Sequence, residues 1–348
     1  MKRILVTGGL GYIGSHTAVA LQAAGFEVVI IDDLSNASEE VLYKIKQITG
    51  ILMDFHKIDL KDTESTDHFF STAKIDGVVH FAAHKAVGES VSQPLKYYRN
   101  NLLSLINVLD AMERYGIDHF IFSSSCTVYG QADEMPIKET TPLKKPESPY
   151  GNTKKIGEDI ISDFVKATGK SAISLRYFNP VGSEPLGLLG DIQHVPNNLL
   201  PYMVQTATGI QKELGIFGND YETRDGTAIR DYVDINDLAG AHVKALNRLL
   251  EKRNTSRMEY FNLGSGTGST VLEIVRAFEK ANGIRIPYKI KPRRAGDIVE
   301  TYADYSLAHK ELQWIPVTSL ETSMKTAWKF QQQCTLNREE KETTEKEY

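Results

Sequence analysis

Only two cysteines, Cys126 and Cys334, occur in 348 residues. They lie far apart and in no metal-ligand spacing, which leaves no disulfide framework and suits a reducing compartment. No apolar run approaches the roughly 18 residues a spanning helix needs. Strand-like residues begin at Arg3, leaving no room ahead of them for a signal peptide, so a cytoplasmic protein without a membrane partner is expected. Basic residues are not in excess. The formal net charge is −5, which argues against general nucleic-acid binding and requires any anionic ligand to be held by local donors. There is no surplus of proline or glycine and no internal repeat. What is present, 41% apolar and 24% charged residues, is the composition of a folded domain. The length exceeds the about 250–300 residues at which single cores stop growing, so two lobes are expected.

The first lobe opens with Lys2-Arg3-Ile4-Leu5-Val6-Thr7, a short buried strand. The turn Gly8-Gly9-Leu10-Gly11-Tyr12-Ile13-Gly14 then leads into a helix that stops near Gly25. Gly8, Gly11 and Gly14 let the chain turn tightly and let a pyrophosphate approach the backbone while helix N–H groups face it. The spacing is G-x-x-G-x-x-G rather than G-x-G-x-x-G, a weak signal taken alone. It gains force from Phe26–Asp32, a second buried strand ending in an acid placed to receive a ribose 2′-hydroxyl. Asp32 and Asp33 together repel a 2′-phosphate, which favours NAD over NADP.

Helix and strand then alternate: helices near 39–48 and 65–73, strands near 54–58 and 76–81, and a long helix near 94–115 that contains Asn100. Asp59 either meets an adenine amine or closes a turn. Lys85 is either a phosphate ligand or a solvated loop lysine. His80 and His84 have metal-like spacing, but at a strand end they share no helical face, and no metal is expected. The strand 118–125 ends in Ser123-Ser124-Ser125 at the carboxyl edge, where open α/β sheets bind ligands. Ser125 there either donates to a substrate oxygen or caps a loop.

Ser148-Pro149-Tyr150-Gly151-Asn152-Thr153-Lys154 reads as a helix start, with Ser148 as N-cap and Pro149 at the first helical position. Tyr150 and Lys154 then share one face. A nearby ammonium and the positive end of the helix dipole favour the phenolate, which makes Tyr150 a candidate general base. The same spacing also occurs in ordinary surface helices. Up to Arg176 the alternation implies a doubly wound parallel sheet.

Residues 177–335 form a smaller mixed lobe that returns at least one element to the first. It has short strands near 213–217 and 260–263 and helices near 234–250, 271–282 and 320–331. Arg230, Arg293 and Arg294 are its candidate diphosphate ligands, because arginine grips phosphate bidentately. The charged segment 336–348 reads as a disordered tail.

With these strings in order, the sequence resembles the extended short-chain dehydrogenase/reductase superfamily and, within it, the UDP-galactose 4-epimerases, from about Lys2 to Trp328. The strings include Phe122-Ser123-Ser124-Ser125, Arg176-Tyr177-Phe178-Asn179, Pro196-Asn197-Asn198-Leu199, Arg230-Asp231-Tyr232 and Arg293-Arg294-Ala295-Gly296-Asp297. The resemblance implies a Rossmann-type α/β fold, tightly bound NAD and a UDP-sugar substrate of galactose metabolism. It implies that Tyr12, Ile13, Asp32, Asn36, Asp59, Leu60, Phe81, Lys85, Asn100, Tyr150, Lys154 and Tyr177 line the NAD. It further implies that Phe178, Asn179, Asn198, Leu199, Ile216, Phe217, Arg230, Arg294 and Asp297 hold the UDP-sugar. Tyr150 is then the base at the sugar O4, and Ser125 hydrogen-bonds the same oxygen. The sugar passes through a 4-keto state, with no net redox change.

Two departures stand out: Asp33 where asparagine is expected, and Cys126 where alanine is usual. Related dehydratases carry Thr-Asp-Glu after the serine-rich strand, whereas Ser125-Cys126-Thr127 has no acid. Counting from Asp297, the pocket tyrosine of glucose-restricted members falls on Thr301, which implies room for a 2-acetamido group and activity on UDP-N-acetylglucosamine. The resemblance also implies a homodimer through the helices near 94–115 and 149–167.

Overall fold

The computed structural model describes residues 1–192, 196, 198–294 and 297–344, with side chains to residue 336. The first half alternates β1 (Arg3–Thr7), α1 (Tyr12–Ala23), β2 (Glu27–Asp32), α2 (Glu40–Thr49), β3 (Asp54–Lys57), α3 (Thr63–Thr72) and β4 (Gly77–His80). It continues through α4 (Val87–Ser92), α5 (Pro94–Arg114), β5 (His119–Ser125), a 3-10 turn (Cys126–Tyr129), α6 (Pro149–Thr168) and β6 (Ser171–Tyr177). The second half holds β7 (Asn179–Val181), α7 (Leu199–Ala207), β8 (Leu214–Phe217), β9 (Ile229–Asp234), α8 (Ile235–Leu250) and β10 (Met258–Leu263). After these come β11 (Gly268–Thr270), α9 (Val271–Asn282), β12 (Tyr288–Lys291), β13 (Glu300–Thr301), α10 (Ser306–Leu312) and α11 (Leu320–Thr344).

Seven strands form one parallel sheet in the order β10-β6-β5-β4-β1-β2-β3. The period-2 geometry of a strand sorts its residues between two apolar layers. Ile4 and Val6 of β1 pack with Leu21 of α1 and Leu238 and Leu246 of α8. Leu5, between them, packs on the opposite face with Phe69 of α3, Leu105 and Val108 of α5 and Ile161 of α6. Each such side chain contributes about 1.5–3 kcal/mol when fully removed from water.

The crossovers reverse direction between β1 and β4. That switch point is where a doubly wound sheet leaves a crevice beyond its strand ends. The Gly8–Gly14 turn, Asp32, Phe81–Lys85 and Ser125 all leave the sheet at this edge.

The chain after Arg176 sends β10 back to pair in parallel with β6, and α8 back to pack on α1. The rest builds a smaller lobe with its own core, in which Met203, Val204, Ile216, Ile274 and Phe278 meet Met324 of α11. Its sheet is centred on β9, flanked by β11, β13 and β7.

The structure adds short elements that the sequence does not announce, among them α4 and β9, and it extends the last helix. The strand β9 has no sequence signature, because Ile229-Arg230-Asp231-Tyr232-Val233-Asp234 keeps no alternation of apolar and polar residues. The last helix runs through Thr344 instead of ending near 331, so the charged segment is helical there; glutamate and lysine are good helix formers. Residues 345–348 lie outside the described residues. No helix among the described residues is long and apolar enough to cross a membrane.

Candidate active site

Helix α6 starts as its sequence dictates. The Ser148 hydroxyl accepts the Gly151 N–H at 3.1 Å, and Pro149 occupies the first turn. Tyr150 and Lys154 consequently share a face, directed at the end of β5. The Lys154 ammonium donates to the Ser123 carbonyl at 2.6 Å and lies 5.0 Å from the Phe122 ring centroid and 5.9 Å from that of Tyr150. Ser125 caps the 3-10 turn by accepting the Thr127 N–H at 3.2 Å, and its hydroxyl also reaches the Tyr150 phenol.

The electrostatics differ from the sequence expectation of a phenol whose pKa is lowered by its lysine. Burial dominates and pushes Tyr150 up to about 12, with the hydrogen bond to Ser125 offsetting only part. Burial likewise holds Lys154 down to about 7, offset in part by the Glu158 charge. Taking either charge out of water costs more than the pair recovers by facing each other. A phenolate at neutral pH therefore needs a further positive charge beside it.

The glycine turn is sterically required. Gly8 has φ +63°, and a Cβ there would lie 2.8 Å from the Ala82 nitrogen. At Gly14 a Cβ would lie 2.2 Å from the Gly8 carbonyl oxygen. Gly11 precedes α1 in extended conformation with no side-chain cap, and no acid sits in the first turn, so the amides around Tyr12 and Ile13 face an anion without competition. The buried Asp32 carboxylate accepts the N–H groups of Leu10 (3.1 Å) and Leu34 (3.0 Å), and burial raises its pKa. Asn36 is exposed on the following loop.

Asp59 closes a turn by accepting the Lys61 N–H at 3.0 Å, and Leu60 belongs to the core. Lys61 also donates to Asn100 at 3.0 Å. Phe81 packs on His242, whose Nδ1 meets the Leu238 carbonyl. The His242 Nε2 therefore accepts from the Tyr177 hydroxyl, at 2.5 Å. Lys85 pairs with Asp191 at 3.2 Å, 5.7 Å from the Tyr12 ring centroid.

In the smaller lobe, Asp297 draws two arginines together, with Arg230 at 3.2 Å and Arg294 at 3.8 Å. The Arg294 guanidinium also lies 4.2 Å from the Phe217 ring centroid. Arg293, in contrast, turns to Asp220 on the surface. Ile216 is buried in the lobe core, and Phe178 packs with Val128, Tyr129 and Ala303. Asn179 opens β7, Asn198 precedes α7, and Leu199 is partly buried beside it. Thr301 is buried and pairs in register with Arg230. The Cys126 thiol is pushed up to about 12 by burial, with the Arg230 charge offsetting part. Asn197, Ala295 and Gly296 lie outside the described residues.

Three buried groups escape a window-based reading. Asn101, not Asn100, ties the His84 backbone to Thr153 of α6. Glu158 and Arg176 form an ion pair beneath β5, at 3% and 4% exposure. Glu158 lies four residues beyond Lys154, so the i,i+4 rule was available to flag it. Among the described residues no group of three or more His, Cys, Asp or Glu side chains could hold a metal ion.

The parallel sheet, the glycine turn at its switch point and the Ser125–Tyr150–Lys154 constellation define a protein of the extended short-chain dehydrogenase/reductase class. Within that class, the family model of GDP-mannose 4,6 dehydratase matches residues 5–327. The UDP-glucose 4-epimerase of Bacillus subtilis is 48% identical over 330 residues, 94% of this chain and 96% of its own. The structure of UDP-glucose 4-epimerase from Stenotrophomonas maltophila with bound NAD and formylated UDP-arabinopyranose superposes with a TM-score of 0.93 at 43% identity, covering 97% of this chain and all of that one. The enzyme from Bifidobacterium longum in complex with NAD+ and UDP gives 0.92 at 41% identity, covering 95% and 98%. The chain belongs to the UDP-glucose 4-epimerase family.

Proposed function

We propose that this chain is an isomerase that interconverts UDP-glucose and UDP-galactose through a 4-keto sugar, with NAD tightly bound. The observation that carries the proposal is the Tyr150–Lys154 face of α6 at the Ser123–Ser125 end of β5, beside the glycine turn at the sheet's switch point. The residues fit the dinucleotide. A Cβ would fill the cradle at Gly8 and Gly14, the first-turn amides of α1 have no competing cap, and Asp32 ends β2 as a ribose acceptor with Asp33 beside it to exclude a 2′-phosphate. Lys85 is placed to exchange Asp191 for a phosphate. When bound, NAD supplies the hydride acceptor and donor together with a positive charge beside the phenol.

Tyr150 takes the proton from the sugar O4, and Ser125 donates to the same oxygen. Lys154, held by the Ser123 carbonyl, contributes its charge to the phenolate. Arg230 and Arg294, oriented by Asp297, hold the diphosphate, so the flat 4-keto sugar turns over without leaving; Tyr150 then returns its proton on the way to the epimer. Energy from the unreactive nucleotide thus keeps the intermediate in place. Dehydration is disfavoured because Cys126, at a position where dehydratases carry an acid, is a neutral thiol. Purified protein converting UDP-galactose to UDP-glucose without added NAD tests the proposal, and an inactive but cofactor-loaded protein refutes it.

The substrate range extends to UDP-N-acetylglucosamine and UDP-N-acetylgalactosamine. Strand alternation supports Thr301, not Tyr302, as the pocket residue. Tyr302 packs toward Gly268, where a Cβ would lie 3.1 Å from its ring, while Ala303, on the same side as Thr301, packs with Phe178.

A homodimer through α5 and α6 is supported by Leu95, Leu103 and Ile106, all exposed on α5. Sedimentation as a monomer at micromolar concentration would refute it. The cytoplasm remains the compartment we assign, on the two unpaired cysteines.

A further inference from the structure

The buried Glu158–Arg176 pair has more partners than an ion pair needs. Glu158 Oε1 accepts from Ser124 Oγ (2.7 Å), Ser174 Oγ (2.7 Å) and Arg176 Nε (2.9 Å), and Oε2 accepts from Arg176 Nη2 (2.7 Å). One carboxylate thereby ties α6 to β5 and β6 at the level of the serines. The Arg176 guanidinium is held between the rings of Tyr129 (4.9 Å) and Tyr260 (4.5 Å) and donates to the Tyr129 hydroxyl at 2.8 Å. That hydroxyl donates in turn to Asn262 at 2.7 Å. Ser124 is flanked by Ser123, whose carbonyl holds Lys154, and by Ser125, which reaches Tyr150.

We propose that Glu158, clamped by Arg176, Ser124 and Ser174, is a positioning residue of the reaction: it fixes the Tyr150–Lys154 face of α6 on the serine edge of β5 and supplies the counter-charge of the Lys154 ammonium. This inference rests on the epimerase reading above. A buried ammonium with one carbonyl partner is poorly compensated, and among the described residues the opposing charge acting on it comes from Glu158, one helical turn away. The other titratable groups facing this pair do not take that role. Tyr150 shares its helix and is neutral when its phenol is protonated. His80, from β4, is held neutral by burial at about 3. Tyr177 from β6 and Tyr97 from α5 have raised pKa values and stay phenols, and the Cys126 thiol is raised to about 12. Arg176 carries a like charge, and of the ion pair it is the Glu158 end whose charge acts on Lys154.

The test is the pH profile of kcat for the holoenzyme with UDP-galactose, comparing wild type, Glu158→Gln and Glu158→Asp. Glu158→Gln keeps the shape and loses the charge, so the alkaline limb is expected to move down by about one pH unit, the lower end of what a neighbouring opposite charge does. Glu158→Asp keeps the charge, so its limb stays near that of wild type even if kcat falls through the loosened clamp. Because Glu158→Gln strands a buried guanidinium, the double variant Glu158→Gln/Arg176→Met removes both charges and is expected to fold. Removing both still takes away the charge that acts on Lys154, so a downward shift of the same sign and smaller size is expected. An unmoved limb in Glu158→Gln or in the double variant overturns the proposal, while the epimerase reading survives as long as wild type turns over. A wild type without epimerase activity overturns both.

Discussion

Replacing Tyr150 by phenylalanine removes one oxygen, and the surroundings make its consequence calculable. If the phenol is the base, its neighbours should offer no equivalent substitute, and the Lys154 nitrogen is engaged with the Ser123 carbonyl. His80 is buried on Thr7 and held at about 3, so its conjugate acid is inaccessible at working pH. The Cys126 thiol sits at about 12, and the Tyr177 hydroxyl is spent on His242. The expected loss in kcat is therefore the full general-base effect, about 10²–10⁴-fold, or about 2.7–5.4 kcal/mol of barrier at 1.36 kcal/mol per tenfold. KM should change little on the proposed reading, in which Arg230 and Arg294 of the other lobe hold the diphosphate. Stability should hold within about 1 kcal/mol, since Ser125 keeps the Thr127 amide when the phenol leaves and no buried group is stranded. Initial rates of UDP-glucose formation from UDP-galactose, with thermal unfolding on the same preparation, provide the assay. A folded Tyr150→Phe variant retaining more than a tenth of wild-type kcat would refute the assignment.

Thr301→Tyr should lower kcat/KM for UDP-N-acetylglucosamine by about tenfold or more while sparing UDP-glucose, on the order of the 1–3 kcal/mol that pocket shape confers; unchanged discrimination in paired assays removes the idea. Gly14→Ala forces a Cβ to 2.2 Å from the Gly8 carbonyl, and the purified variant should carry no cofactor by absorbance or extraction. Acid should destabilise the fold through His16, His80 and His242, all buried and lowered to about 4, 3 and 4 from 6.5. A depressed histidine contributes stability that is present above its unfolded value and lost as pH falls toward the folded one. Between pH 6.5 and 5 each should therefore lose about 1.5 kcal/mol. Denaturant unfolding that is as stable at pH 5 as at pH 7 would contradict this.

Much of the Rossmann lobe is readable in short windows. The runs Ile4–Val6 and Val28–Ile31 are uninterrupted because both faces of their strands are covered. The Ser148 cap and Pro149 announce α6 before any tertiary contact forms. The short helix α4 and the strand β9 escaped because Val87–Ser92 is too short to show a period and Ile229–Asp234 keeps no alternation. The charged segment after Leu336 shows the converse: its composition suggests disorder, while its residues favour the helix they extend.

What the sequence by itself determined is everything that depends on neighbours within about a turn or a strand: the β-α alternation, the glycine turn with its acid at Asp32, and the shared face of Tyr150 and Lys154. What only the tertiary structure decided is which distant groups meet, because a buried charge is satisfied by whatever the fold brings to it and no local pattern names that partner. The return of β10 to β6, the convergence of Arg230 and Arg294 on Asp297, and the clamp of Glu158 by Arg176 and two serines are of that kind. So is the sign of the Tyr150 perturbation. Proximity to Lys154 is written in the spacing, but the desolvation that outweighs it arises only when the fold buries the pair against the end of β5.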